Sequence, residues 1–263
     1  YDYIPGHGYG GLGPVYAGMH LRREEVTVAS LLRDAGYDTC HVGKWHLASK
    51  FNDPAEPQPG DHGFNHWFST YSNARPSHRN PDNFVRNGEE LGELEGYAAE
   101  LCAEEAADWL TSRRDPEKPF CLFTWFHEPH EPIATRDRYM AQYEGHPEAI
   151  YYGNVSQIDA AVGRILTTLD DAGLRDDTVV IFTSDNGPET LNRYRGAHRS
   201  FGSPGPLRGM KLHMYEGGIR VPGIISRPGV VEPGRESSVP VIANDILPTL
   251  CDLAGVTVPT GRT

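Results

Sequence analysis

Residues 120–126 read FCLFTWF, an unbroken run of mostly apolar residues that has the length of one β-strand. Such a run is typical of a strand that is buried on both faces of a parallel sheet. The pattern recurs at 178–183 in TVVIFT, and shorter strands are expected at 37–42 and 221–226. These runs predict the strands of one sheet.

The segments between these strands carry apolar residues at helical spacing. One short helix is expected after Thr27, a second from Tyr97, and a last one around 246–254. The clearest helix has its apolar stripe at Tyr151, Val155, Ile158, Val162, Ile165 and Leu169. Helices that alternate with buried strands predict an α/β fold, with a mainly parallel sheet sandwiched by helices.

The composition limits the classes of function. The chain has 263 residues, a formal net charge of −12 and 38% hydrophobic residues. It can bury a large core, and no apolar run approaches the roughly 18 residues of a membrane span. So acidic a chain is not expected to bind nucleic acid. Its cysteines form no CxxC pair and are expected to be buried thiols: Cys40, Cys102, Cys121 and Cys251.

Residues 51–95 are rich in Pro, Asn, Asp and Gly and show little periodicity, which predicts a long loop excursion. Long loops in compact domains are usually functional. Its larger side chains have two alternative roles. They line an entrance that selects a sugar or an aryl group, or they cover the hydrophobic core. They are Trp67, Tyr71, Asn73, Arg75 and His78.

Polar segments follow three of the predicted strands. They are GKWH at 43–46, HEPHEP at 127–132 and SDNG at 184–187, and a fourth polar loop, GPLRGMKLHMYEGGIRVP at 205–222, leads into the last strand. Ligands of open parallel sheets bind at the carboxyl ends of the strands. We therefore expect these four segments to meet at one edge of the sheet.

The first two segments supply cations and histidines. Lys44 and His46 are two residues apart, so in an extended backbone they point to the same side. His127 and His130 flank Pro129, which stiffens the loop that carries them. Their His-x-x-His spacing also fits half of a zinc site.

The last two segments supply oxygen ligands and another lysine. Asp185 and Asn186 end an apolar strand, and an asparagine carbonyl oxygen suits Ca²⁺ or Mg²⁺ better than zinc. Asp-Asn-Gly is also common turn chemistry. Lys211 lies in a glycine-rich loop. A hard cation near lysine and histidine would neutralise an anionic oxygen ester.

Together these segments resemble the type I sulfatases, the formylglycine-dependent sulfatases of the alkaline phosphatase superfamily. GYDTCHVGKWHL at 36–47 is similar to the second sulfatase signature, and FHEPHEP at 126–132 resembles the family's histidine loop. FTSDNGP at 182–188 and LRGMKLHMYEGGIRVP at 207–222 resemble the metal-ligand and second-lysine region. The resemblance covers nearly the whole chain in family order and implies an alkaline-phosphatase-like sulfatase core.

The resemblance implies a role for each charged side chain. Asp185 and Asn186 would be two ligands of a Ca²⁺ ion, with Mg²⁺ as an alternative, that holds a sulfate oxygen. Lys44 and Lys211 would grip the sulfate and the oxygens of the nucleophile.

The resemblance also implies roles for the histidines. His46 would contact the formylglycine hydroxyl and help to eliminate sulfate, and His130 would protonate the departing alcohol. The sequence Glu-Pro follows both His127 and His130, so either histidine fits the motif, and the family pattern favours His130.

One departure from the family pattern is serious. The family's nucleophile is a Cys or Ser in a C/S-x-P-x-R motif that is converted to formylglycine, and residues 1–263 contain no such motif. The aspartate pair that completes the metal site is missing as well, and both precede the second signature in the family. We therefore expect residues 1–263 to be a single catalytic-domain fragment, truncated at both ends and inactive alone.

Two alternatives to a sulfatase remain at this point. One is a phosphoesterase or phosphonate hydrolase of the same superfamily. The other is a non-catalytic sulfatase-like protein that binds sulfated glycans. For a sulfatase, the long polar loops favour a sulfated carbohydrate as substrate, with an aryl sulfate as the alternative. The resemblance implies periplasmic or secreted localisation.

Overall fold

The computed structural model describes residues 20–189 and 201–259. Its helices are α1 Val28–Asp34, α2 Ala98–Asp108, α3 Asp137–Met140, α4 Ala149–Asp171, α5 Glu216–Ile219 and α6 Ile246–Leu253. Its strands are β1 Asp38–Lys44, β2 His66–Thr70, β3 Val85–Arg86, β4 Glu89–Glu90, β5 Phe120–Trp125, β6 Val180–Thr183 and β7 Gly223–Ser226. The outer ends of the single domain predicted for 1–263 lie outside the described residues.

A five-stranded sheet with the order β4-β3-β2-β1-β5 forms the centre of the fold. β1 pairs in parallel with both β2 and β5, and the short strands β3 and β4 add antiparallel pairs at one edge. Helices cover both faces. Cys102 and Ala106 of α2 pack with Val42 in one core cluster, and Ala29 of α1 packs with Trp45 in another. The α/β fold predicted from the sequence is confirmed.

The predicted loop excursion over 51–95 must be corrected, because it contains β2, a fully buried strand of the central sheet. The sequence of β2, HWFST, carries polar side chains that mask its burial. Each finds a partner from another element. His66 Nε2 lies 2.8 Å from Glu105 Oε1, and Thr70 Oγ1 lies 2.7 Å from His127 Nε2.

The strands predicted at 178–183 and 221–226 also differ from expectation. They form β6 and β7, which pair antiparallel in a separate two-stranded sheet. Three of their apolar side chains are exposed in the described part of the chain, at 40% for Phe182, 57% for Ile224 and 54% for Ile225, whereas Val180 packs against the core. An apolar run predicts a strand, but it does not identify the sheet that the strand joins or the segment against which it packs.

Helix α4 is present over the predicted range, and its buried face includes Leu169 of the predicted stripe together with small and polar residues outside that stripe. Val155 of that stripe is exposed, whereas Gly153, Gln157 and Ala161 are buried. Ala161 packs against small residues of α2, so the two helices approach closely. The four cysteines are free, three of them buried and Cys121 partly buried.

Candidate active site

Glycines join the four polar segments in two pairs through backbone contacts. β1 extends through Gly43 to Lys44, two residues beyond the predicted end. A Cβ atom at Gly43 would lie 2.0 Å from the carbonyl oxygen of Trp125, which immediately precedes the histidine loop. No other residue type allows this approach. The segments that carry Lys44 and His130 therefore leave the sheet side by side.

The other two segments interlock in the same way. The backbone N–H of Gly187 donates to the carbonyl oxygen of Gly218 at 2.8 Å, and the N–H of Lys211 donates to that of Pro188 at 2.9 Å. A Cβ atom at Gly187 would lie 1.9 Å from the carbonyl oxygen of Gly217. The Asp-Asn-Gly turn and the glycine-rich loop thus form one unit, and this unit positions Lys211.

The charges of these segments act on one another. Burial, followed by the positive charge of Lys211, lowers the pKa of Lys44 to about 8, and the carboxylate of Asp185 opposes this shift. Burial, followed by the charge of Lys44, lowers the pKa of His130 to about 4, with further effects from Lys211 and Asp185. The structure therefore brings Lys44, Lys211, His130 and Asp185 within electrostatic reach of one another.

His127 and His130 differ in their surroundings. His127 is fully buried, and its Nε2 lies 2.7 Å from Thr70 Oγ1. Burial lowers the pKa of His127 well below its usual value, which keeps the ring neutral. His130 is only partly buried, and its Nδ1 donates to the carbonyl oxygen of Glu131 at 2.8 Å. Nε2 is then the nitrogen of His130 that can exchange a proton with a ligand.

His46 departs from the expected geometry. β1 ends at Lys44, and His46 has a φ of 51°, so the extended backbone assumed for this pair does not continue. The buried Trp45 separates the two residues, and the N–H of His46 donates to the carbonyl oxygen of Tyr71 at 3.0 Å. The side chain of His46 is exposed, and its role stays a prediction.

Asp185 and Asn186 present oxygen atoms that suit a hard cation. Asp185 is exposed, and Nδ2 of Asn186 donates to the carbonyl oxygen of Gly187 at 2.9 Å. Among residues 20–189 and 201–259, nothing donates to Oδ1 of Asn186, which leaves this oxygen open to a cation. No group of three or more metal-binding side chains occurs in that part of the chain. Asp185 and Asn186 therefore fit Ca²⁺ as part of a larger ligand set.

The histidine loop contains a buried carboxylate, Glu128, that the sequence reasoning did not single out. Oε1 of Glu128 accepts a hydrogen bond from the backbone N–H of Ala99 at 2.8 Å and lies 3.8 Å from His78 Nδ1. Ala99 is in the first turn of α2, where backbone N–H groups lack helical partners. Glu128 thus ties the histidine loop to α2. A carboxylate between His127 and Pro129 in the HEPHEP segment was the available signal.

Comparison with known proteins places the chain in a family. The sulfatase family model matches residues 5–256. Steryl-sulfatase of Rattus norvegicus is 30% identical over 315 residues, which cover 92% of this chain and 54% of that protein. Arylsulfatase A of Homo sapiens is 32% identical over 260 residues, which cover 91% of this chain and 49% of that protein. The chain belongs to the sulfatase family.

A solved structure supports the same conclusion. Ps i-CgsB, crystallised in complex with k-i-k-neocarrahexaose, matches 91% of this chain and 55% of its own, with 25% sequence identity and a TM-score of 0.80. The predicted alkaline-phosphatase-like sulfatase fold is thereby confirmed. The chain spans about half the length of the curated relatives it matches. None of the helices in the described residues is long and apolar enough to cross a membrane.

Proposed function

We propose that this chain is part of the catalytic domain of a longer sulfatase, which hydrolyses a sulfate monoester and releases inorganic sulfate. The observation that carries this proposal is the mutual electrostatic reach of Lys44, Lys211, His130 and Asp185. The family match agrees with it.

The two lysines bind the sulfate group. A sulfate monoester reacts slowly, because negative charge builds on the bridging oxygen and the nonbridging oxygens repel a nucleophile. Fixed ammonium groups reduce this repulsion without reorganising during the reaction, and the loss of one such contact typically costs on the order of 10²–10³ in rate. Lys44 is held at the end of β1 and Lys211 by the Pro188 carbonyl, so the backbones that carry both charges are fixed.

His130 protonates the leaving alcohol through Nε2. Burial and the nearby ammonium groups hold its pKa at about 4, so the ring is neutral at pH 7 before substrate binds. A sulfate ester between the lysines offsets their charge and raises the pKa of His130, which favours the protonated form when the proton is needed. General acid catalysis of this kind contributes roughly 10²–10⁴ in rate.

The proposed site also includes His46, a formylglycine and a divalent cation. His46 contacts the hydroxyl of a formylglycine, which we expect on a Cys or Ser in a part of the parent protein outside residues 1–263. Asp185 and Asn186 hold Ca²⁺, or Mg²⁺ in its place. When bound, the ion supplies positive charge to a nonbridging sulfate oxygen.

The substrate is a sulfated carbohydrate in this proposal. Support comes from the neocarrahexaose in the complex of Ps i-CgsB, a structural neighbour. Small aryl sulfates carry a good leaving group, so the parent enzyme is expected to hydrolyse them as artificial substrates, which is arylsulfatase activity.

The experiment measures sulfate release from 4-nitrophenyl sulfate by the complete parent protein and its variants. Lys211→Ala should lower kcat/KM on the order of 10²–10³-fold with little change in Tm. Lys118→Ala is the matched control. Lys118 is also a lysine in a loop, and it precedes β5, at the end of the sheet opposite the candidate site. Its replacement should leave the rate unchanged.

Near-normal turnover by the Lys211 variant would remove that residue from the site. Faster turnover of phosphate monoesters than of sulfate monoesters by the parent protein would overturn the assignment to sulfate. The 263-residue chain itself is expected to release no sulfate, and measurable release by it would contradict the proposed absence of the nucleophile.

A further inference from the structure

Beside the candidate site, an arginine and a tyrosine form a fixed pair that the proposed reaction does not use. The guanidinium of Arg75 lies over the ring of Tyr71, 4.9 Å from its centroid, and also donates to the tyrosine hydroxyl. Arg75 is exposed, whereas Tyr71 is partly buried and contacts Phe51 edge-on at 6.3 Å. We propose that Arg75 binds a second anionic group on the substrate, a sulfate or a carboxylate on the leaving-group side.

The backbone around Arg75 is held in place. Its N–H donates to Asn83 Oδ1 at 2.9 Å, and its carbonyl oxygen accepts from the N–H of Asp82 at 2.7 Å. Nδ2 of Asn83 donates to the carbonyl oxygen of Asn73 at 2.9 Å. An arginine with a fixed backbone and a stacked side chain loses less conformational entropy when it binds an anion.

Backbone contacts place this pair at the rim of the candidate site. The carbonyl oxygen of Thr70 accepts from the N–H of Trp45 at 2.8 Å, so the segment that carries Tyr71 runs alongside the end of β1. On the other side, Nδ2 of Asn73 donates at 3.3 Å to the carbonyl oxygen of Glu131, which also accepts from His130 Nδ1. The segment 70–75 therefore joins the segment of Lys44 to the loop of His130.

The charge of Arg75 is not neutralised within the described chain. Other arginines pair with carboxylates, such as Arg86 with Glu105 and Arg136 with Glu100. No carboxylate of residues 20–189 and 201–259 lies within ion-pair distance of Arg75. Arg79 is also exposed and has no carboxylate partner among the described residues, so Arg75 is distinguished by its place at the rim of the candidate site. In a chain with a formal net charge of −12, an unpaired guanidinium at that place is available to an external anion.

This inference rests on the proposed function and makes it more specific, because it predicts a substrate with at least two anionic groups. Arginine recognises sulfate and carboxylate through paired N–H donors. His130 would protonate the bridging oxygen, and Arg75 would bind an anion on the sugar that leaves. Arg75 is a specificity-determining residue in this scheme and takes no part in bond cleavage.

The test uses the complete parent protein and two disaccharides of the same sugar sequence, one with a single sulfate and one with two. Arg75→Ala should raise KM for the disulfated disaccharide about tenfold or more and leave kcat nearly unchanged. For the monosulfated disaccharide, both constants should stay the same. Arg75→Lys should give an intermediate KM, because it keeps the charge and loses the paired donors.

Arg79→Ala is the matched control. Arg79 is also exposed and also lies in 51–95, but it pairs with Tyr97 and not with Tyr71. It should behave like the unsubstituted protein. Equal effects of Arg75→Ala on both disaccharides, or no effect on either, would overturn the inference and leave the sulfatase assignment intact. A parent protein that releases no sulfate from either disaccharide or from aryl sulfates would overturn the proposed function, and this inference with it. Replacing the second sulfate by a carboxylate shows which anion Arg75 prefers.

Discussion

Replacing Glu128 with Gln should remove a buried carboxyl group that titrates and should keep the hydrogen bond from the Ala99 N–H. The side chain of Glu128 is fully buried, and its Oε1 accepts from the N–H of Ala99 at 2.8 Å. A glutamine carbonyl can accept the same hydrogen bond. Burial raises the pKa of Glu128 from 4.5 to about 7, so the folded state retains a proton that the unfolded state loses as the pH rises from 4.5 to 7.

The sign of the effect follows from proton linkage. Because the folded state binds more protons in this interval, stability falls as the pH rises through it and falls no further above pH 7. The pKa of Glu128 rises from 4.5 to about 7 on folding, and each pKa unit is worth about 1.4 kcal/mol. The titration of Glu128 therefore lowers the free energy of unfolding by about 3 kcal/mol above pH 7. Glu128→Gln should therefore be more stable than the unsubstituted chain by about 3 kcal/mol at pH 8. At pH 5 the gain should be less than about 1 kcal/mol.

Urea denaturation followed by circular dichroism at pH 5, 6, 7 and 8 measures this difference. The buried His78 and His127 titrate in the opposite sense, and their contribution cancels in the comparison because both proteins contain them. Glu128→Ala is the contrasting variant. It also lacks the titrating carboxyl but leaves the Ala99 N–H without its acceptor, so it should be less stable than Glu128→Gln at every pH, by about 1–3 kcal/mol. A stability difference between Glu128→Gln and the parent that does not change with pH would refute the reasoning.

Two further predictions concern the Asp-Asn-Gly turn. Gly187→Ala should destabilise the chain by about 1–3 kcal/mol in urea, because the added Cβ would lie 1.9 Å from the Gly217 carbonyl oxygen. Gly163→Ala, which meets nothing within 4 Å in α4, should instead stabilise it by up to about 1 kcal/mol, and equal effects of the two would contradict the packing argument. Asp185→Asn in the complete parent protein should weaken Ca²⁺ binding, seen as a smaller rise in Tm when CaCl₂ is added. An unchanged rise would remove Asp185 from the metal site.

Much of the α/β pattern was predictable because it depends on local signals. The apolar run at 120–126 became β5, and the stripe over 151–169 lies in α4. Thr27 caps α1 as expected, with its side chain accepting from the N–H of Ser30 at 3.0 Å. Such features need only residues a few positions apart, and the sequence presents them directly.

The central strand β2 was not predictable in this way, because its burial depends on distant partners. His66 is buried against Glu105 of α2, 39 residues away, and Thr70 against His127, 57 residues away. A polar residue costs little in a core when a partner satisfies it, and no local pattern reveals that partner. The same limitation hid Glu128, which accepts a hydrogen bond from the first turn of α2 although it lies in the loop after β5, 29 residues away.

The candidate site was predicted from its charged residues, and glycines explain how the segments that carry these residues join in pairs. Lys44 follows Gly43, whose missing side chain lets β1 touch the carbonyl oxygen of Trp125. Lys211 lies in a loop that packs against the Asp-Asn-Gly turn through Gly187 and Gly217. Two ammonium groups repel each other, and the lowered pKa of Lys44 reflects that cost in part. The backbone contacts hold the segments that carry these two charges, so the glycines are as much a part of this arrangement as the lysines themselves.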